Sequence, residues 1–215
     1  MEGTVSLKTL ARSTLPGRTD LAQSLSGVIL AVFTLMHLCL VSSVLLSPVI
    51  MDGLGWMLEE SYLAQIFGPL IFLLLIFHFT LAARKIPFST EGLSVYLQHA
   101  KEMRHQSTWE WLAQVVSALV VLVFASIHMY EVLTTLPITA AKSALREQGG
   151  WTPLYIVLLI SVGIHLSLGL FRVAVKYGYV TAENRAVWQR RTYMLIAAYI
   201  IIGFATMVRF HFMPV

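Results

Sequence analysis

Four histidines lie inside four separate apolar stretches of this chain. They are His37, His78, His128 and His165. A polar side chain buried in hydrocarbon without a partner is costly, so an ionisable residue within a spanning helix is by default a candidate functional residue. These four positions are therefore the first places where chemistry is expected.

The composition is that of an integral membrane protein. The 215 residues are 57% hydrophobic and 12% charged, with a mean hydropathy of +0.75, which is too apolar for a soluble domain of this size. Five apolar runs reach the roughly 20 residues that cross a hydrocarbon core of about 30 Å. We place them near residues 22–47, 62–84, 111–133, 153–176 and 192–212. The predicted fold is all-α, with five transmembrane helices in a bundle.

The basic residues predict the orientation of this bundle in the cytoplasmic (inner) membrane. Of the 15 Lys and Arg residues, all but three fall on one side, the exceptions being Lys142, Arg146 and Arg209. The positive-inside rule places the basic side in the cytoplasm. We therefore expect a cytoplasmic N-terminal segment at 1–21, a five-helix transmembrane domain at 22–212 and a short outer C-terminus at 213–215. The net charge of +4 reflects this orientation and predicts no nucleic-acid partner.

Local signals predict where the helices begin, bend and end. Asp20 is a plausible N-cap for the first spanning helix, and Ser47-Pro48 marks its end. Gly68-Pro69 lies inside the second apolar run, where it should bend the helix rather than end it. The connection at 86–110 has apolar residues at helical spacing and should hold a short amphipathic helix.

Two of the histidines are predicted to lie near the basic side of the membrane. His78 is six residues before Arg84, and His165 is seven before Arg172. Because a helix rises about 1.5 Å per residue, both should lie about 9 to 11 Å from that boundary.

The other two histidines are predicted to lie deeper. His37 is fourteen residues past Gln23, and His128 is seventeen past Trp111. Both should lie roughly 21 to 26 Å from the same boundary. Depth therefore pairs His37 with His128, and the two shallower histidines with each other.

Two imidazoles that face each other at one depth are what a six-coordinate haem b needs, one on each side of the macrocycle. Two such pairs would hold two haem groups, with irons on the order of 12 to 15 Å apart along the membrane normal. Histidines hydrogen-bonded to Ser, Thr or backbone carbonyls are the alternative for any one position, but four depth-matched residues favour ligands. Zinc or copper transport usually needs ligands at a single depth or clustered carboxylates. His99, His105 and His211 are assigned no role.

Longer stretches around these histidines show a family resemblance. They read HLCLVS at 37–42, HFTLAARK at 78–85, IHMY at 127–130, WTPLY at 151–155 and GLFRVAVK at 169–176. Together they resemble the dihaem cytochrome b subunit of quinol:fumarate reductase, in the succinate dehydrogenase and fumarate reductase superfamily. The resemblance implies five spanning helices, two haem b groups and the axial pairing reached above from depth.

The resemblance also implies partners and a direction of electron flow. Menaquinol would give up electrons near the outer haem, and fumarate would be reduced on a flavoprotein subunit with covalent FAD. That subunit and an iron–sulfur subunit would bind on the cytoplasmic side, in a heterotrimer that can pair into a dimer of heterotrimers. This chain would carry neither the flavin nor the clusters.

Further site residues follow from the resemblance. Gln23, Ser24, Trp111 and Lys176 fall on positions that hold the propionates of the inner haem, and Arg146 falls on one that serves the outer haem. The family's quinol-site glutamate falls on Glu59, and on Glu60 if the register slips by one residue. Quinol oxidation needs such a group to accept a proton as the electrons leave.

Two positions depart from the family pattern. Some members carry a buried glutamate two residues before the fourth histidine, proposed as part of a proton conduit, where this chain has Gly163. Glu131 lies one turn after His128, where the compared pattern is apolar, and is expected to cap the outer end of its helix.

Other functions remain open at this point. The same architecture serves succinate oxidation by menaquinone. A haem-free membrane anchor is a second class, which the four histidines argue against. The cytochrome b subunit of a hydrogenase or formate dehydrogenase is a third, although it typically has four spanning helices.

Overall fold

The protein is an all-helical bundle. The computed structural model describes residues 7–86 and 89–215, and it describes side chains from residue 17 onward except at positions 90 and 93. Within these ranges there are eight α-helices and no strand. Their bounds are α1 Leu7–Ser42, α2 Pro48–Glu60, α3 Leu63–Ala83, α4 Thr90–Met103, α5 Gln106–Thr134, α6 Ala140–Arg146, α7 Thr152–Lys176 and α8 Arg185–His211. Residues 1–6 of the predicted N-terminal segment lie outside the described residues.

Five helical segments are long and apolar enough to cross a membrane. They are Gly17–Leu45, Leu63–Ala83, Gln106–Thr134, Ala140–Lys176 and Arg185–His211. The prediction of five spanning helices is thus confirmed. Among them, α5 packs on α7, α7 packs on α8, and α1 packs on both α3 and α8.

Large apolar side chains cover the outside of the bundle. Met36, Leu73 and Ile201 are each more than 60% exposed, as expected for side chains that face lipid. Small polar residues instead lie buried between helices, with Ser167 and Thr206 as examples, which allows close approach of the helix backbones.

The predicted N-cap at Asp20 is wrong. α1 begins at Leu7 and continues through Asp20 without a break. An acid just before an apolar run resembles a cap, but a helix that continues upstream already satisfies the backbone N–H groups that a cap would serve. The Asp20 carboxylate instead forms ion pairs with Arg84 and Lys85 just beyond the end of α3.

The prediction that Ser47-Pro48 marks the end of the first spanning helix agrees with the structure, because the first span ends at Leu45. α1 ends at Ser42 and is followed by a 3-10 turn over Ser43–Leu45. The Ser47 hydroxyl accepts a hydrogen bond from the backbone N–H of Val49 at 3.2 Å, and Pro48 occupies the first turn of α2. Ser followed by Pro therefore begins a second helix here, as expected for an N-cap and an N1 proline.

The other two local predictions concern Pro69 and the connection at 86–110. α3 continues through Pro69, so this proline does not end the helix. The connection at 86–110 contains α4, and the Ser89 hydroxyl caps it by accepting from the Gly92 N–H at 3.1 Å.

A compact apolar core closes the end of the bundle opposite the basic residues. α6 and a kinked segment over Glu147–Trp151, in which Gly150 has a φ of 98°, precede α7 at this end. The core joins the turn after α1 to α2, α6 and the end of α8, and it consists of Val44, Met51, Ala140, Ala144, Phe210 and Met213. The end of the bundle that carries Arg84, Lys85, Arg172 and Lys176 is called the basic end below.

Candidate functional site

His37 and His128 lie opposite each other on α1 and α5. Their ring centroids are 6.0 Å apart and their planes are tilted by 59°. Two imidazoles that bind opposite faces of one metal ion, each at about 2 Å, have centroids about 6 Å apart. The Nδ1 atom of His128 is buried and has no hydrogen-bond partner among the described residues. The rings of His128 and Tyr155 are nearly perpendicular, with centroids 5.5 Å apart.

His78 lies close against α1. Its Nδ1 atom is 3.0 Å from the Ser26 hydroxyl, and that hydroxyl donates to the Ala22 carbonyl at 2.8 Å. A Cβ atom at Gly27 would lie only 2.8 Å from Cε1 of His78. Glycine at this position is therefore what allows the imidazole to approach the α1 backbone so closely.

The backbone of α5 determines which nitrogen of His165 is free. Nδ1 of His165 lies 3.1 Å from the Gln114 carbonyl oxygen and 3.4 Å from the Ser117 hydroxyl. A carbonyl can only accept, so Nδ1 carries the proton and Nε2 keeps its lone pair. This is the usual way in which a second hydrogen bond orients a metal-binding imidazole.

His78 and His165 line one cavity of about 340 Å³. The same cavity is lined by four of the residues that the family resemblance singled out, which are Gln23, Ser24, Trp111 and Lys176. The structure therefore brings together two of the predicted histidines and all the residues predicted to surround them.

Two of these residues form a link between α7 and α1. Lys176 donates to the Ser24 hydroxyl at 2.9 Å and to the Asp20 carbonyl at 2.8 Å. Oε1 of Gln23 is buried without a hydrogen-bond partner among the described residues. Since the oxygen and nitrogen of an amide can exchange places by a flip, Gln23 could present either a donor or an acceptor to a bound group.

Gln114 and Arg172 also line this cavity, although sequence reasoning did not assign them to the site. Gln114 looks like an isolated polar residue at the start of a span, and Arg172 looks like a membrane-boundary cation. Periodicity gave a partial signal, because Gln114 is one turn after the predicted site residue Trp111.

Tyr96 of α4 packs against the same region. Its ring lies 4.2 Å, centroid to centroid, from that of Trp111. Burial raises the pKa of the Tyr96 hydroxyl, and the nearby charge of Arg172 acts in the opposite direction. The short helix between the second and third spans is thus attached to the basic end of the bundle beside the cavity.

The opposite end holds a polar group around Arg146. Its guanidinium lies 3.5 Å from the Glu131 carboxylate and donates to the Thr135 hydroxyl at 2.9 Å. Glu131 was expected to cap the end of α5. It pairs with Arg146 instead, because α5 continues to Thr134 and an acid cannot cap free carbonyls. Arg146 also lies within electrostatic range of His128.

Glu59 and Glu60 differ in their surroundings. The half-buried Glu59 carboxylate accepts a hydrogen bond from the backbone N–H of Ile138, whereas Glu60 is exposed. Two turns earlier on this face of α2, Asp52 accepts a hydrogen bond from the Ala140 N–H at 2.7 Å. Together the two acids attach the connection between α5 and α6 to α2.

The fold and these sites define a class of protein, a helical membrane protein in which histidines from different spans face each other. The described residues contain no group of three or more His, Cys, Asp or Glu side chains that could bind a metal ion, so the paired histidines are the candidate ligands.

Comparison with known proteins identifies the family. The family of succinate dehydrogenase/fumarate reductase transmembrane subunits matches residues 96–206. The fumarate reductase cytochrome b subunits of two Helicobacter pylori strains are each 30% identical to this chain over 210 residues, which span 93% of it and 82% of the relative. That of Wolinella succinogenes is 30% identical over 210 residues, spanning 91% and 82% respectively. The chain belongs to this family.

Proposed function

We propose that this chain is the membrane-embedded cytochrome b subunit of a quinol:fumarate reductase. It binds two haem b groups, oxidises menaquinol and passes the electrons to an iron–sulfur subunit and a flavoprotein subunit, where fumarate is reduced. The observation that carries the proposal is the presence of two histidine pairs, each joining different helices. The fumarate reductase relatives support it through their common name of cytochrome b subunit.

The residues present fit haem b at both pairs. His37 and His128, whose ring centroids are 6.0 Å apart, would hold one haem between them. His78 and His165 share a cavity, and Nδ1 of His165 is held by a carbonyl so that Nε2 can bind iron. When bound, haem b supplies one-electron transfer.

The side chains at the basic end would hold the propionates of the inner haem. Lys176 and the Ser24 hydroxyl supply charge and hydrogen bonds at the cavity, Trp111 can donate its indole N–H, and Gln23 has a buried amide oxygen without a partner in the described chain. Charge-assisted hydrogen bonds of this kind are strong where water is scarce. Arg146 would serve the outer haem in the same way from the other end.

Glu59 would accept the proton that menaquinol releases. It is half-buried at the end of the bundle away from the basic residues, and the Ile138 N–H holds one of its carboxylate oxygens. Its other oxygen can face a quinol hydroxyl, as a general base must. Glu60 would take this role only if the quinol approached from the exposed face of α2.

The position of the basic end gives the orientation of the bundle in the membrane. That end would face the cytoplasm, with the N-terminus inside and the C-terminus outside the cell. The flavoprotein and iron–sulfur subunits would bind there, next to the inner haem, and the heterotrimers could pair into dimers.

Spectroscopy and purification test the proposal together. The purified protein should show the dithionite-reduced spectrum of low-spin haem b and should co-purify with a flavoprotein and an iron–sulfur protein. Absence of haem would identify a haem-free anchor and overturn the cytochrome assignment. Co-purification with a nickel or molybdenum subunit would overturn the assignment to a fumarate reductase.

A further inference from the structure

A charged pair lies between the histidines His37 and His128 and the end of the bundle opposite the basic residues. None of the roles proposed above uses its acid, Glu131. This residue is on α5, three positions after His128, so its side chain leaves the helix on the same face, about one turn further from the basic end. Its carboxylate lies 3.5 Å from Nε of Arg146. The two side chains are 26% and 12% exposed respectively, so the pair is largely shielded from water.

Hydrogen bonds hold this pair in place. Arg146 also donates to the Thr135 hydroxyl at 2.9 Å, and that hydroxyl donates to the Glu131 carbonyl at 2.6 Å. Lys142 brings a second cation to the same turn, where its ammonium donates to the Thr135 carbonyl at 2.9 Å. The guanidinium of α6 is thereby fixed against the end of α5, within electrostatic range of His128.

Two acids lie near the ring of Tyr155, which packs against His128 with centroids 5.5 Å apart. Glu131 and the buried Glu147 both act electrostatically on the Tyr155 hydroxyl. Of the two, only Glu131 forms an ion pair with Arg146 within the described ranges. Glu131 is therefore the acid that directly offsets the guanidinium charge beside this histidine pair.

Charges at this place matter because the oxidised form of a haem carries one more positive charge than the reduced form. A nearby carboxylate stabilises the oxidised form and lowers the reduction potential, whereas a nearby guanidinium raises it. Salt and water screen partly buried charges less than exposed ones, so burial enlarges the effect. At about 10 Å and an effective dielectric constant of about 20, one unit charge changes a one-electron equilibrium roughly tenfold.

We propose that Glu131 sets the reduction potential of the haem between His37 and His128 by offsetting the charge of Arg146. This role depends on the function proposed above, since it requires a haem bound by the two histidines. The carboxylate lowers the potential of this haem, so electrons pass more readily from it to the haem at the other histidine pair. The compared family pattern is apolar at this position, so this control of the potential distinguishes the chain from that pattern.

Glu131→Gln removes the charge and keeps the shape of the side chain. The purified complex is titrated potentiometrically while haem absorbance is followed, and the component missing from His128→Ala identifies the haem at that pair. Its equilibrium should favour the reduced form about tenfold more than in the unchanged protein, a rise of about 59 mV for one electron. The other haem should keep its potential. An unchanged potential, or an equal rise for both haems, would overturn the proposal.

Two further variants separate charge from packing. Glu131→Asp keeps the charge and should titrate close to the unchanged protein. A shift equal to that of Glu131→Gln would show that side-chain shape is the cause and would contradict the proposal. Glu60→Gln removes an exposed acid at the same end of the bundle and should leave both potentials unchanged, since water screens its charge. An equal rise in this control would point to surface charge in general rather than to Glu131.

The haem content of the samples distinguishes the two levels of the proposal. Absence of haem from the unchanged protein would refute the proposed function itself. Two haems with potentials that do not respond to Glu131→Gln would refute only the role of Glu131. Loss of the haem from Glu131→Gln alone would show that the acid is needed for folding or for haem binding, and would equally refute its role in setting the potential.

Discussion

His37 on α1 and His128 on α5 face each other with ring centroids 6.0 Å apart. Neither residue is near the other in sequence, and each belongs to a helix whose outer surface is apolar. The two imidazoles thus lie on opposite sides of one point within the bundle, as two ligands of one haem would.

Replacing either histidine of a pair should therefore remove the one haem that this pair binds. His78→Ala or His165→Ala should lower the haem content from two to one per chain, and His37→Ala or His128→Ala should lose the other haem, with a different spectrum and midpoint potential. Haem content is measured by pyridine haemochrome and potentials by redox titration. The exposed His99→Ala is the control and should keep both haems. A ratio near one in the unchanged protein would refute the pairing.

Glu59→Gln should slow menaquinol oxidation by about two orders of magnitude or more, the usual contribution of a general base. The amide keeps an oxygen that can accept from Ile138 N–H, so the local structure should survive while proton acceptance is lost. Both haems should remain, and fumarate reduction from an artificial donor that bypasses this subunit should be normal. Glu60→Gln is the neighbouring control and should be active. Near-normal quinol activity in Glu59→Gln would move the site elsewhere.

Gly55→Ala should destabilise the end of the bundle opposite the basic residues. A Cβ atom there would lie 2.5 Å from the Ile138 carbonyl oxygen, so the connection held by Asp52 and Glu59 would have to move away from α2. We expect a loss of about 1 to 3 kcal/mol, typical of overpacking, seen as a lower thermal unfolding temperature of the purified complex.

Gly53→Ala provides the matched control on the same helix. A Cβ atom at Gly53 meets nothing within 4 Å, and alanine favours helix by about 1 kcal/mol over glycine. This variant should unfold at the same or a slightly higher temperature. If both variants behaved alike, close packing between α2 and Ile138 would not be the cause.

Turnover should generate a membrane potential if the chain lacks a proton route that compensates for electron transfer. The position occupied by an acid in some relatives is Gly163, and proton conduction through hydrocarbon needs ionisable groups or water. Proteoliposomes with a voltage-sensitive dye should report a potential during menaquinol:fumarate turnover. Strictly electroneutral turnover would contradict this and would require a route through ordered water or the haem propionates.

Gly163→Glu is not expected to install such a route. A Cβ atom at Gly163 would lie 3.2 Å from Cδ1 of Tyr199 and 3.3 Å from Cγ1 of Ile200, so α7 has little room for a longer side chain against α8. The variant should lower the yield of folded protein, measured by gel filtration. Gly163→Ala should show a milder loss of stability. A well-folded, electroneutral Glu variant would refute this packing argument.

The spanning helices were predictable because membrane insertion depends mainly on local composition. The histidine pairs were predictable because helical rise converts sequence distance into depth. α2 was not predicted, since a short helix beside the end of a span has the same apolar composition as the span itself. Asp20 was misassigned because its ion pair with Arg84 and Lys85 is a tertiary contact, and a cap is the only role that local sequence suggests. Gln114 and Arg172 escaped notice for the same reason, because only the packed bundle places them on one cavity.

The bond from Lys176 to Asp20 has a consequence for biosynthesis. The two residues are 156 positions apart, whereas Arg84, which also contacts Asp20, is only 64 away. At translation rates of roughly 5 to 20 residues per second, α1 would wait on the order of 8 to 30 seconds for its contact with α7. During that interval α1 can pack against α3, which is already synthesised. In a nascent chain halted after α5, the first two spans would be packed together, but α7 and α8 would be missing from the bundle. Such a chain would be exposed to membrane proteases that recognise unfinished bundles.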